Sequence, residues 1–413
     1  MNFLYALIIL LHTHTSGLIL REANEVPMSD AACAFEAEAS DDSRSPIAKA
    51  FRGMRDKILS VAPWEFAFSR TSEAFESRHQ CGPEPTLDAA FASLDAKIGG
   101  SINREDVMKA YRNESIGLRF VVRDGVLSHY VSRGRKEAMV RARLPAYVSL
   151  LNDLLSEVEL PDMEFAVSLL DRSPGSAHVF KTEGDPGKDL LFIPRSLSDW
   201  GRAARSLAEK YAREPCTRQH PQAVFRGATT GGRHVWNASA SDRPLRAFDG
   251  SHLPRFDVVA LSNQRPDLLD AGFTEVVQSN EPKFLKQSLQ AQGMMRGFLS
   301  DDEQRCFAAV VVVDGNSMPD RFPRQLAYGV PVVLVHRQSD EFWYKELRPG
   351  VHYLPATPGT LVEVLETLRG KPELAQCIGA NGRRFLIDHL NENRLKCYLH
   401  RLLTEYSKRY RES

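Results

Sequence analysis
The chain has 413 residues, enough for two or perhaps three globular units at roughly 100–200 residues each. Apolar residues make up 43% and charged residues 26%, which excludes a largely disordered chain and a multi-span membrane protein. Lys plus Arg and Asp plus Glu both total 53, so no net field draws the chain to nucleic acid or to an anionic membrane, and any anion it binds is held by local geometry.

At the amino end, Phe3 to Leu11 is an unbroken apolar run followed by His12-Thr13-His14-Thr15-Ser16-Gly17. It is too short for a bilayer, which takes about 20 residues, and it fits the core of a secretory signal, about 7–15 residues. Residues 1–17 therefore read as a signal peptide, although no Lys or Arg precedes the run. Six cysteines (Cys33, Cys81, Cys216, Cys306, Cys377 and Cys397) are dispersed and form no C-x-x-C, which argues against zinc or thioredoxin chemistry. In an oxidising lumen one or two bridges are expected; in a cytosol these would be buried thiols. Asn113-Glu114-Ser115 and Asn237-Ala238-Ser239 are glycosylation sequons.

Residues 18–115 form an N-terminal region, beginning with an acidic, small-residue stretch (34–42). Over 84–112 the pattern predicts helix–loop–helix: Leu87, Phe91 and Leu94 share a face, and Asp95 to Asp106 run into Val107, Met108 and Tyr111. The loop resembles an EF-hand, with an acid first and last, Gly100 sixth and Ile102 eighth. Lys97 and Gly99 stand where oxygen ligands belong, so the expectation is a degenerate, structural EF-hand without calcium.

From residue 116 strands and helices alternate. Strands are predicted at Leu118–Val122, Phe165–Leu170, Ala223–Phe225, Val258–Leu261, Ala308–Val313 and Val330–Val335, with helices at 136–156, 199–212, 282–296, 321–328, 359–369 and 372–388. Unbroken apolar strands such as 308–313 indicate a parallel sheet covered on both faces. The alternation lacks eightfold regularity and predicts two doubly wound, Rossmann-like α/β lobes at 116–221 and 222–388, followed by a C-terminal helix at 389–413.

Ligands of open α/β sheets bind beyond the carboxyl ends of strands. Met163 to Leu170 delivers Asp171 to a turn ended by Pro174, a position suited to a general base, though Asp also simply starts turns. Phe225-Arg226-Gly227-Ala228-Thr229-Thr230-Gly231-Gly232-Arg233 is a strand entering a Gly/Thr loop between arginines, able to meet phosphate oxygens. It is neither a Walker loop nor a dinucleotide fingerprint. Val313-Asp314-Gly315-Asn316-Ser317-Met318-Pro319-Asp320-Arg321 leads from a buried strand to a short helix whose start could face a diphosphate.

In order, these stretches resemble the CAP10 / protein O-glucosyltransferase family, glycosyltransferase family 90. The residues carrying the resemblance are Pro161-Asp162-Met163-Glu164…Asp171, Phe225-Arg226-Gly227, Arg321…Gly329-Val330-Pro331, Trp343-Tyr344…Leu347-Arg348-Pro349-Gly350-Val351-His352-Tyr353-Leu354-Pro355, and Cys397-Tyr398…Leu403-Thr404-Glu405-Tyr406-Ser407. They span 116–410. The resemblance implies a GT-B fold, two Rossmann-like lobes with a cleft between, and an inverting transferase that takes glucose or xylose from a UDP-sugar to a protein hydroxyl. It implies Asp171 as base, and Arg226, Gly227, Ala228, Thr229, Thr230, Arg243, Gly315, Asn316, Ser317, Asp320 and Arg321 around the donor. Arginines rather than a metal would neutralise the diphosphate, so no cofactor is expected beyond the UDP-sugar co-substrate. The implied setting is the endoplasmic reticulum or Golgi lumen, or secretion, with a protein or glycan acceptor, no nucleic acid and no stable membrane span.

Several departures stand out. The family's Ser after Arg-Gly is Ala228, so its hydroxyl contact passes to Thr229 or Thr230. The further family arginine is Arg243 or Arg233, with Arg243 preferred. The family partner of Cys306 would fall near Tyr328, so that bridge is absent. Two other readings remain: a capsule-type transferase acting on a glycan, and an inactive GT-B sugar-binding protein.

Overall fold
The computed structural model describes residues 69–412 apart from 113–116, 133–136, 170–177, 183, 186, 195–196, 198–200, 215, 217–218, 232–252, 280, 317–318 and 336–339. The signal segment, both sequons, Asp171, Arg233, Arg243 and Ser317 lie outside the described residues.

The helix–loop–helix is present. Helices α1 (Ser72–His79) and α2 (Pro85–Ile98) lead to a two-residue strand β1 (Ile102–Asn103) and α3 (Arg104–Arg112). Pro85 opens α2, where its missing N–H costs nothing, and Gly99 and Gly100 take φ 70° and 79° to turn the chain out of it. Asp95, the first position of the EF-hand-like segment, lies in the last turn of α2 and is gripped by the Arg409 fork, Nε–Oδ1 2.7 Å and Nη2–Oδ2 2.8 Å. This pair holds the Asp95 carboxyl below the usual carboxylate range. The loop thus docks the C-terminal end of the chain, and Ile102 pairs in parallel with Tyr410.

The first lobe departs from expectation. Strands β2 (Leu118–Arg123) and β3 (Val126–Val131), helix α4 (Glu137–Glu157), β4 (Met163–Ser168) and β5 (Val179–Lys181) build a four-stranded sheet in the order β3-β2-β4-β5. β2 runs antiparallel to both neighbours and only β4–β5 is parallel, so the lobe is mixed rather than Rossmann-like. The cause is Asp124-Gly125, at φ 49° and 73°, a two-residue turn with both φ positive. Such a turn sends the chain straight back as a hairpin, with no crossover helix.

The second lobe matches expectation in kind. It comprises α5 (Gly201–Arg213), β6 (His220–Ala228), α6 (Pro254–Gln264), β7 (Leu269–Glu275), α7 (Pro282–Ala291), α8 (Asp301–Gln304), β8 (Phe307–Val313), α9 (Phe322–Leu326), β9 (Val332–Val335), β10 (Leu354–Ala356), α10 (Leu361–Gly370) and α11 (Pro372–His389). The five strands are all parallel, in the order β10-β9-β8-β6-β7. Along β8, Val310 and Val312 enter one core with Phe322 and Leu386, while Ala309, Val311 and Val313 enter a second with Phe256, Leu285 and Leu361. Both faces are covered, as the unbroken apolar run requires.

One assignment is corrected. The strand expected at Val258–Leu261 is helical, within α6: Pro254 opens it, and Arg255, Val258, Val259 and Ser262 are buried at helical spacing. The strand belongs instead to Leu269–Glu275, whose Asp270 and Gly272 hide it among polar residues.

The final helix, α12 (Glu392–Arg409), and strand β11 (Tyr410–Arg411) return across the molecule. Tyr398 Oη donates to Leu191 O at 2.7 Å and Tyr406 Oη to Glu164 O at 2.9 Å, tying α12 to the first lobe. Arg394 lies between Glu84 and Glu346, and Cys397 is bonded to Cys81. Cys306 is bonded to Cys216, so it has a different partner from the one the resemblance located near Tyr328. A backbone bridge joins the lobes: Gly184 N donates to Asp340 O at 2.9 Å, and Asp340 N to Gly184 O at 3.1 Å. Gly184 follows β5 and Asp340 follows β9, so the carboxyl ends of the two sheets adjoin.

A titrating group lies inside this packing. His352 is 7% exposed, its ring lies tilted against Phe385 with centroids 4.8 Å apart, and its Nδ1 accepts from Arg348 N at 3.0 Å, which requires the neutral ring. Burial, then the Arg348 and His389 charges, push its pKa down from 6.5 to about 4. The unfolded chain therefore binds a proton that the folded chain refuses between those values, so this stability is complete above pH 6.5 and is lost as pH falls toward 4. The loss is about 3 kcal/mol by linkage. Urea unfolding at pH 7 and pH 4.5 should show it in the wild type. It should be largely absent in His352→Asn, whose amide oxygen can accept the same bond; equal pH dependence in the two proteins would contradict this account.

Candidate functional site
Counted from β6, the second sheet has the doubly wound order 2-1-3-4-5. In such sheets the chain leaves neighbouring strands in opposite directions at one point and opens a crevice beyond their carboxyl ends. Here that point lies between β6 and β8.

The crevice is occupied by an arginine the sequence reading did not single out. Arg255, in the first turn of α6, is 6% exposed. Its Nη1 donates to Ala228 O at 3.0 Å and to Thr230 Oγ1; its Nη2 reaches Val313 O at 3.0 Å; its Nε reaches Val313 O at 3.2 Å and Asp314 O at 3.1 Å. One guanidinium thus ties the end of β6 to the end of β8. The available signal was Pro254, a helix opener directly before Arg255, masked by the strand-like Val258-Val259-Ala260-Leu261.

Arg321, just before α9, joins it. Its Nη1 donates to Arg226 O. The Phe225 ring lies 6.0 Å from the Arg255 guanidinium carbon and 5.7 Å from that of Arg321. Gly227 leaves room here: a Cβ would stand 2.9 Å from Arg321 Nη2 and 2.9 Å from Phe225 Cζ, so one of those side chains would have to shift. Gly315 serves likewise, since a Cβ there would lie 2.6 Å from Thr230 Oγ1 and 2.8 Å from Arg255 Nη2. Phe322, next to Arg321, is fully buried against Trp343, Tyr344 and Tyr353, with ring centroids 5.7, 5.7 and 6.3 Å away. The Trp-Tyr…His-Tyr run singled out in the sequence therefore supports the arginine from beneath.

The electrostatics favour an anion. Burial, reinforced by the Arg321 charge, lowers the Arg255 pKa to about 9, and burial lowers that of Arg321; Arg255 stays protonated at neutral pH. Arg255 donates to carbonyl and hydroxyl oxygens, while the charge of the buried Asp314 offsets part of its own and those of Asp301 and Asp320 part of that of Arg321. Two like charges at one ring, withdrawn from water, still repel each other, and a further anion beside them lowers that cost.

The remaining expected residues sort themselves. The Arg226 fork turns away from the crevice: Nη2 meets Asp270 Oδ2 at 2.7 Å, Nη1 donates to Asp270 O at 2.8 Å and Phe225 O at 3.0 Å, and Nε to Gly297 O at 3.1 Å. Its part in the site runs through its carbonyl, which accepts from Arg321. Thr229 is fully buried and its hydroxyl exchanges hydrogen bonds with Val277 at 2.9 Å, so of the two threonines it is Thr230 that touches Arg255. Ala228 contributes its carbonyl. Asn316 is partly buried and Asp320 exposed on the loop between β8 and α9. Among the described residues no group of three or more His, Cys, Asp or Glu could hold a metal ion, and no helix is long and apolar enough to cross a membrane.

Residues 233–412, which contain both arginines, match glycosyl transferase family 90. Among curated relatives, protein O-glucosyltransferase 1 of Rattus norvegicus is 28% identical over 228 residues, 55% of this chain and 51% of that protein. The Homo sapiens protein of the same name is 25% identical over 70% of this chain and 74% of its own length. O-glucosyltransferase rumi of Drosophila pseudoobscura pseudoobscura is 26% identical over 52% and 47%. The matched part of the chain spans about half the length of the first of these relatives. Among solved structures, Anabaena Alr3699/HepE in complex with UDP-glucose overlaps 46% of this chain and 50% of its own, at 14% identity and a TM-score of 0.29. The matched stretch begins after β6, so the Arg226-Gly227 strand and the first lobe precede it.

Proposed function
We propose that the chain is an inverting, UDP-sugar-dependent glycosyltransferase that passes glucose or xylose to a hydroxyl of a protein acceptor in the secretory lumen. The observation that carries this reading is the pair Arg255 and Arg321 on one ring at the switch point of a parallel sheet. A diphosphate there meets two guanidinium ions, with Thr230, Gly315, Asn316, Asp320 and the 227–229 backbone around it, and Ser317, outside the described residues, is assigned to the same donor. Arg243 is assigned to the same donor.

Asp171 is assigned as the base. In sequence it closely follows Ser168, the last residue of β4. Asp171 takes the acceptor proton as the hydroxyl oxygen bonds to the anomeric carbon. The bond from that carbon to the diphosphate oxygen breaks, and UDP leaves with the electron pair. Charge growing on the diphosphate is met by the two arginines, so the reading assigns no step to a metal. The disulfides Cys81–Cys397 and Cys216–Cys306 support an oxidising compartment, and the names of the curated relatives support a protein acceptor.

The test is UDP release from UDP-glucose and UDP-xylose with acceptor peptides. Wild type should turn over, and Asp171→Asn should fall by about 100-fold or more. No turnover by wild type, or equal turnover by Asp171→Asn, would sink the reading.

A further inference from the structure
A second feature lies in the first lobe and needs no part of the transfer reaction. β3 is an edge strand, and beside it is a cavity of about 430 Å³ lined by Tyr111 of α3, Arg119 of β2, His129 and Tyr130 of β3, and Arg141 and Leu144 of α4. One wall comes from α3 and the sheet face, the other from α4, and the open edge of β3 lies between them.

The hydrogen-bond phase of the hairpin can be read directly. Ser132 N donates to Gly117 O at 3.1 Å, and the register pairs Tyr130 with Arg119, Ser128 with Val121 and Val126 with Arg123. Antiparallel pairs alternate, so the even positions bond toward β2 and Leu127, His129 and Val131 turn their N–H and C=O groups outward. Such an edge is a template for another extended chain.

The walls say what kind of chain. Tyr130 is 47% exposed and Val126, on the same face, 64%. The Arg119 guanidinium lies 4.0 Å from the Tyr130 ring centroid and 5.7 Å from that of Tyr111. Arg119 lies 3.9 Å from Glu164, whose other oxygen is held by Arg104 at 2.7 Å, so its own ion pair is long. Arg141 is matched by Glu137 at 2.8 Å, and no acidic residue is among those lining the cavity.

We propose that the edge of β3, unpaired among the described residues, docks an extended acidic segment of a partner protein. The segment adds as a further strand, its side chains alternating between the Tyr111/Tyr130 wall and the Arg141/Leu144 wall.

The experiment is fluorescence anisotropy with the full chain and a short labelled peptide alternating glutamate and valine. Its controls are the peptide with lysine for glutamate and the acidic peptide N-methylated at alternate amides. The acidic peptide should bind about tenfold tighter than the lysine peptide. N-methylation should weaken it by a similar factor, as should Tyr130→Ala and His129→Pro, the latter removing one outward N–H at an edge position that tolerates proline. The N-methylated peptide tests the backbone contacts on unaltered protein, should His129→Pro fail to fold. Equal binding of acidic and lysine peptides, or undiminished binding after N-methylation, overturns the proposal. So does a wild-type dimer in sedimentation that His129→Pro dissolves, since a second copy would then occupy the edge.

Discussion

Arg255→Lys should lower sugar transfer by about 100-fold or more, with UDP affinity falling alongside it. The charge survives in this variant, but the fork does not. Arg255 reaches Val313 O, Asp314 O, Ala228 O and Thr230 Oγ1 at once, and one ammonium on a flexible stem cannot span that set. The ends of β6 and β8 then lose their common donor, and each carbonyl left buried without a partner costs about 1–3 kcal/mol. Steady-state kinetics and thermal unfolding should be measured on the same preparations. Lowered stability with undiminished transfer would show Arg255 to be a strand tie and nothing more.

Removing the Cys81–Cys397 bridge should have the largest effect on stability. It joins positions separated by 316 residues and fixes α12 to the turn after α1. Loss of a native disulfide costs about 2–5 kcal/mol, and long loops stand at the upper end in the chain-entropy account. The ion pairs around it are weaker fixings, because Glu157, Glu346 and Glu392 are each partly solvated. Urea unfolding of Cys81→Ser/Cys397→Ser beside the wild type gives the number. An unchanged midpoint would mean that burial alone seats α12.

What could be read from the sequence follows from how strongly a residue pattern commits to one geometry. Ala308 to Val313 admits little besides a strand covered on both faces, and the helices at 372–389 and 392–409 carry unbroken periodicity. Val258 to Leu261 is four apolar residues, equally at home in a strand or a buried helix turn, and only Pro254 before it favours the helix. Reading it as a strand concealed both α6 and Arg255. Asp124-Gly125 was a readable hairpin signal, and overlooking it made the first lobe seem parallel. At the site, the sequence located Gly227, Thr230, Gly315 and Arg321 at strand ends, but it could not say where a side chain points. Arg226 looked like a phosphate ligand and is instead committed to Asp270, a residue on a strand the pattern hid.

Calorimetric titration of UDP into the wild type and into Arg321→Gln tests the central claim, that the two arginines at the switch point hold a nucleoside diphosphate. Arg321 is the better probe, because it bridges fewer backbone carbonyls than Arg255 and its loss disturbs the sheet less. The wild type should bind UDP at one site, and Arg321→Gln should bind it about tenfold or more weakly with an unchanged unfolding midpoint. No binding by the wild type, or equal binding by the two, would contradict the account.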